Sequence, residues 1–166
     1  MMAGERDAAG LEAMRSPGWE MPILLMGAFR HLIDELHVDL AARGFPDARP
    51  GHGFALQAVG PHGVTVTELG RRLGVSKQAA AKTAVAMERL GYLTREPSPE
   101  DARAILLRRS DRGEAVLMAS AEFFARQQAH WVAVIGLERF MALVNDLRIL
   151  AGEATIGDTS GWLGLA

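Results

Sequence analysis

Apolar and polar residues change their spacing several times along the chain, and each change marks an element. Downstream of Pro22, Ile23, Leu24, Leu25, Met26, Phe29, Leu32, Ile33, Leu36 and Leu40 recur at helical spacing. They cover more than one stripe, which predicts a long helix over residues 22–43, buried from more than one side. Pro22 suits the first helical position, where a missing N–H leaves nothing unpaired. Gly44, Pro46, Pro50 and Gly51 predict a loop. A short helix follows through Phe54, Leu56 and Val59, stopped by Gly60-Pro61 and Gly63. Residues 1–18, rich in Gly, Ala and charge and without periodicity, read as a flexible N-terminal segment, and residues 153–166 as a C-terminal tail.

The pattern sharpens at Thr65. Thr65-Val66-Thr67-Glu68 is a capping box, in which the Thr65 hydroxyl accepts from the Glu68 amide and the Glu68 carboxylate reaches back. The helix it opens runs through Leu69 and Leu73 to Gly74, a residue that tolerates the left-handed terminal conformation. Only Val75 separates Gly74 from Ser76, a good N-cap for a second helix running to Leu90 and stopped by Gly91. Two short helices joined by a tight turn containing glycine predict a helix-turn-helix. On the second helix, Ala80, Thr83, Ala84, Met87 and Leu90 fall on one side and should pack inward. Lys77, Gln78, Ala81, Lys82, Val85 and Arg89 fall on the other. Glutamine pairs bidentately with adenine, lysine reaches guanine or phosphate, and a small alanine permits close approach to a thymine methyl. The bland reading is an amphipathic helix with a solvated face.

Residues 92–96 and 104–108 read as strands, and Pro97-Ser98-Pro99-Glu100-Asp101 between them is a turn cluster. A hairpin directly after such a helix is a wing. Arg103 near its tip is placed to enter a minor groove, and Asp101 to order the turn or hold Arg103.

Charge supports a polyanionic partner only when read by region. The whole chain carries −2. Residues 62–112 hold ten basic and six acidic side chains, a local +4, and the flanks hold −6. A basic centre between acidic ends suits one surface that meets nucleic acid. Ser76, Lys77, Gln78, Ala81, Lys82, Arg89, Arg95, Arg103 and Arg108 are the candidate DNA contacts. Lys77, Gln78, Ala81 and Lys82 would read bases, and Lys82, Arg89, Arg95 and Arg108 would mainly meet phosphate. Ser76 either caps its helix or donates to phosphate.

From about residue 65 to 113 the chain resembles the winged helix-turn-helix core of MarR-type transcriptional regulators. The resemblance rests on the 65–73 helix and on the 76–91 helix ending Glu88-Arg89-Leu90-Gly91-Tyr92-Leu93. Asp101-Ala102-Arg103-Ala104 in the wing and Ser110-Asp111-Arg112-Gly113 opening the next helix complete it. Helix order extends it to roughly residues 20–152. Arg109 departs from the pattern, since that place is usually apolar, and it bears on the packing beneath the wing. The implied fold is mainly α with a small β-hairpin wing. In it, residues 19–152 form one winged helix-turn-helix domain with a DNA-binding core at about 52–112.

Ser110 caps a long helix carrying Val116, Leu117, Phe123, Phe124, Trp131, Val134 and Ile135. Gly136 breaks it before a last helix with Phe140, Leu143, Leu147 and Leu150. The resemblance implies that helices at about 22–43 and 110–152 form a homodimer interface, and the excess apolar surface of the first helix independently calls for a partner. A two-fold dimer presents two recognition helices to successive major grooves, which implies an inverted-repeat (palindromic) operator. The resemblance also implies a regulator, more commonly a repressor, released by a small-molecule effector.

Other classes find little support. The five histidines show no metal spacing, and Gly51-His52-Gly53, which follows no strand, reads as a turn rather than a phosphate loop. No catalytic pair of carboxylates is evident, so no enzyme, metal or cofactor is expected. The chain has no cysteine, which excludes disulfides and a peroxide-sensing thiol. No apolar run approaches the roughly 20 residues of a membrane span, and the N-terminus lacks a secretory pattern, so a cytoplasmic protein is expected. The competing reading is a winged-helix module for protein–protein contact without sequence-specific DNA binding. Outward Lys77, Gln78 and Lys82 favour DNA, and Val85 gives the alternative some support.

Overall fold

The computed structural model describes residues 17–98 and 104–152. The chain divides into two compact units within its first helix, α1 (Glu20–Ala42), the boundary falling between Glu35 and Leu36. In the first unit, Arg30 pairs with Asp34 and His31 with Glu35, each one turn along the helix. Its large side chains Ile23, Leu24, Leu25, Met26 and Phe29 are all exposed. The expected burial of α1 from several sides is therefore not met within one chain, where only Leu36 and Leu40 of this helix are buried.

The second unit contains the remaining elements in order: α2 (Pro50–Val59), α3 (Val66–Leu73), α4 (Lys77–Arg89), β1 (Leu93–Pro97), β2 (Ile105–Arg109), α5 (Asp111–Ile135) and α6 (Leu137–Ala151). One core cluster joins Leu56 and Val59 of α2, Leu69 and Leu73 of α3, and Ala80, Ala84 and Met87 of α4. It continues through Leu93 and Leu107 of the hairpin to Val116 of α5. The fold is thus mainly α with a two-stranded antiparallel wing.

The start of α2 differs from its expected place. Pro50, Gly51, His52 and Gly53 lie in the helix rather than in the preceding loop. Extended Arg49 is the N-cap and Pro50 takes the first turn, where its fixed φ is already helical. The buried run Ala55, Leu56, Ala58 and Val59 outweighs the glycine cost, which sequence punctuation alone overestimates.

The wing pairs Leu93 with Arg109, Arg95 with Leu107 and Pro97 with Ile105. Buried Leu93 and Leu107 place Leu93, Arg95, Leu107 and Arg109 on the inner face, and Thr94, Glu96, Leu106 and Arg108 on the outer. A bridge from Val64 extends the base of the hairpin. The Val64 amide donates to the Leu107 carbonyl at 3.0 Å, and the Leu107 amide to the Val64 carbonyl at 2.7 Å. Gly63 makes this approach possible: a Cβ there would stand 2.7 Å from the Leu107 oxygen, at a φ of +76°.

Arg112, at the start of α5, ties four segments together. Its guanidinium lies 5.1 Å from the Phe45 ring centroid and 5.2 Å from that of Tyr92. It donates to the Leu90 carbonyl (3.2 Å), the Gly44 carbonyl (3.3 Å) and Asp47 Oδ1 (3.1 Å). The fully buried Tyr92 donates its hydroxyl to the same Asp47 oxygen at 2.7 Å. The His52 ring lies 5.7 Å from that of Tyr92, and burial holds its pKa below the ordinary value.

Burial, and then the hydrogen bond to the Asp47 carboxylate, push the Tyr92 phenol up to about 12. The contribution to stability is therefore full below the ordinary phenol value near 10 and is lost as pH rises through about 12. Because the chain has a single tyrosine, a tyrosinate absorbance titration reads this group alone. A midpoint near 12 is expected, moving down in Asp47→Asn; a midpoint near the ordinary value in the folded wild type would contradict the network.

Candidate nucleic-acid interface

The geometry of the interface is set by two caps. Thr65 Oγ1 accepts from the Glu68 amide at 3.2 Å, and Ser76 Oγ accepts from the Ala79 amide at 3.1 Å. Between them α3 closes on Gly74 in the left-handed region (φ 65°, ψ 28°), with the Val75 amide donating to the Gly70 carbonyl at 3.0 Å. Gly70 itself lets the two helices approach, since a Cβ there would meet the Val75 oxygen at 3.1 Å.

Helix α4 is oriented as its pattern predicts. Ala80, Ala84 and Met87 are fully buried, whereas Lys77, Gln78, Lys82, Val85 and Arg89 are exposed. Gln78, Ala81, Lys82, Val85, Ala86 and Arg89 line one shallow depression of about 460 Å³ on this outer face. The Ser76 hydroxyl uses a lone pair for capping, which leaves its hydrogen free to donate outward.

The structure sorts the cations more finely than the count of basic residues does. The Glu68 carboxylate does not reach back along its capping box. It accepts from Arg71 Nε (2.8 Å) and Nη2 (2.7 Å), and from Arg72 Nε (2.8 Å). Two guanidinium groups outcompete one neutral amide, and their hydrogen bonds pull the carboxyl down to about 2. Arg95 pairs with Glu88 at 2.8 Å, linking wing to α4, and Arg108 pairs with Glu96 at 2.8 Å across the outer face of the hairpin. Among the described residues, Lys77, Lys82 and Arg89 make no ion pair. Asp101 and Arg103, expected at the wing tip, lie outside the described residues.

Two further arginines hold the interface to the rest of the unit. Arg72 Nη1 donates to the Ala58 carbonyl at 2.9 Å, and Arg109 Nε to the Leu56 carbonyl at 2.8 Å. Both carbonyls lie in the last turn of α2, which has no basic residue of its own. Cations there meet the negative end of the helix; the Leu56 carbonyl, which also accepts from the Gly60 amide at 3.2 Å, takes Arg109 as a second donor. This accounts for Arg109 where an apolar residue was expected: its side chain is only 12% exposed, capping α2 and pairing with Glu114 at 3.3 Å. The spacing of Glu68 to Arg71 and Arg72 is a signal open to sequence reading. The capping role of Arg109, 53 residues from Leu56, has no local signature.

A capped helix-turn-helix followed by a hairpin held against it defines a winged helix-turn-helix domain. Residues 47–104, which run from the loop before α2 into the wing, match the model of the MarR family. Three solved structures share the fold. FabT of Streptococcus pneumoniae, solved in complex with DNA, superposes with a TM-score of 0.68 at 19% identity, covering 81% of this chain and 94% of its own. A MarR family protein from Bacillus stearothermophilus gives 0.61 at 22%, covering 88% and 94%. The transcriptional regulator Tm0710 from Thermotoga maritima gives 0.55 at 26%, covering 80% and 92%. No curated protein matches the chain in sequence. No described helix is long and apolar enough to cross a membrane.

Proposed function

We propose that the protein binds an inverted-repeat operator in double-stranded DNA as a homodimer, and represses transcription where the operator overlaps a promoter. The observation that carries this reading is the outer face of α4, where Gln78, Lys82 and Arg89 line a shallow depression and Lys77 is exposed nearby, the three cations making no ion pair among the described residues. Gln78, Ala81, Lys77 and Lys82 read base edges; Lys82 and Arg89 meet phosphates; Ser76 donates to phosphate while it caps. Arg103, ordered by Asp101, enters the minor groove. Arg95 and Arg108 reach phosphate only by exchanging Glu88 and Glu96 for it. A small-molecule effector that alters the spacing of the two recognition helices releases the DNA, and with no cysteine in the chain a thiol oxidant is not the signal.

The dimer is supported by apolar surface that one chain leaves in water. Trp131, Val134, Leu137, Met141, Leu147 and Leu150 on α5 and α6 are exposed, as are the large side chains of α1. Light scattering at micromolar concentration is expected to give twice the 17.9 kDa chain mass; a monomer would overturn the dimer.

Selection of bound sequences from random duplexes should enrich a palindrome with half-site centres about 34–36 Å apart. Gln78→Ala should then relax preference at one base pair by about 1–3 kcal/mol, read by anisotropy across operator variants. Uniform weakening at every position would remove Gln78 from base reading, and no enriched sequence would return the protein–protein alternative.

Glu88→Gln should free Arg95 for phosphate. The slope of log affinity against log salt is then expected to steepen by about 0.9 per subunit. An unchanged slope would mean that Arg95 does not face the backbone.

A further inference from the structure

We infer that the middle of the recognition face is a cradle for the 5-methyl group of a pyrimidine, thymine in ordinary DNA, with Val85 as the specificity-determining residue. This rests on the DNA-binding reading above. Gln78, Lys82, Val85 and Arg89 follow one another at one-turn steps along α4 and form a single ridge. Within the depression they line, Ala81, Val85 and Ala86 supply an apolar floor, and Gln78, Lys82 and Arg89 a polar and cationic rim.

An exposed valine is ordinary on a protein surface. This one, 40% exposed, is set apart by its surroundings. Arg71, Arg72, Arg95 and Arg108 each have a carboxylate partner, whereas the two cations beside Val85 have none among the described residues. An apolar centre with uncompensated cations at its rim complements the major groove at a thymine. There the methyl group is the apolar feature of the base edge, and phosphates line both walls. A protein partner would instead call for a larger apolar area and for carboxylates against Lys82 and Arg89. The alanines on either side keep the floor low, so that a methyl group can seat against the Val85 side chain.

Burying one methyl group is worth about a fourfold change in affinity. The test uses the full-length protein and the duplex enriched by selection, with each thymine replaced in turn by deoxyuridine, which lacks only that methyl. At one thymine per half-site, the wild type is expected to lose about fourfold in affinity per replacement. Val85→Ala should show no penalty for uracil there, and Val85→Ile should retain it. A cytosine at that position should bind more tightly once 5-methylated. Tolerance of uracil at every position by the wild type, or a penalty undiminished in Val85→Ala, overturns the inference while leaving the DNA-binding reading intact. Failure to bind any duplex selectively overturns both.

Discussion

The winged unit hangs on the Arg112 guanidinium. It bonds the loop before α2 through Gly44 and Asp47, the end of the recognition helix through Leu90, and it packs between the Phe45 and Tyr92 rings. A planar guanidinium can serve these three acceptors while packing flat against the two rings, a combination that the compact ammonium of lysine does not offer. The backbone is fitted to this arrangement with little room to spare. A Cβ on the next residue, Gly113, would stand 2.2 Å from the Tyr92 carbonyl oxygen, so the first turn of α5 lies directly on the start of the wing. Because Leu90 and Tyr92 flank the turn between recognition helix and hairpin, the angle between those two elements is fixed from behind, away from the proposed DNA face.

Charge on that face is shaped by subtraction. A local excess of positive residues marks the region as basic, yet most of its arginines are occupied. Glu68 holds two, Glu88 and Glu96 one each, and the guanidinium groups of Arg72 and Arg109 also bond carbonyls at the end of α2. Among the described residues of this region, the cations without an ion pair lie on α4. Under the proposed function, fewer free cations would mean fewer counterions released on nonspecific DNA, which would keep sequence-independent affinity low relative to base-reading contacts.

Much of this was legible in the chain, and the division has a physical basis. The caps at Thr65, Ser76 and Ser110 and the stop at Gly74 are bonds between residues three to five positions apart. Such bonds leave a local signature. The inward and outward faces of α4 follow from helical periodicity alone. At Glu68 two sequence motifs overlap, a capping box and a pair of i+3 and i+4 arginines, and the charged partners win. The Val64 bridge to Leu107 and the role of Arg109 depend on segments brought together only by the fold. The start of α2 is hidden in the sequence because its glycines read as punctuation, whereas burial of the following turn decides the matter.

The two arginine caps on α2 have a mechanical consequence. One belongs to the first helix of the helix-turn-helix, the other to the second strand of the wing, and both grip carbonyls in the same helical turn. Sliding or rotating α2 about its axis would strain both grips together, so the helix behaves as a shaft with two cranks rather than as a spacer. The short β-bridge at Val64, close behind the end of α2, adds a third attachment to the same wing strand. Motion entering at the Pro50 end of α2 is thereby shared between hairpin and helix-turn-helix, and neither can be displaced alone.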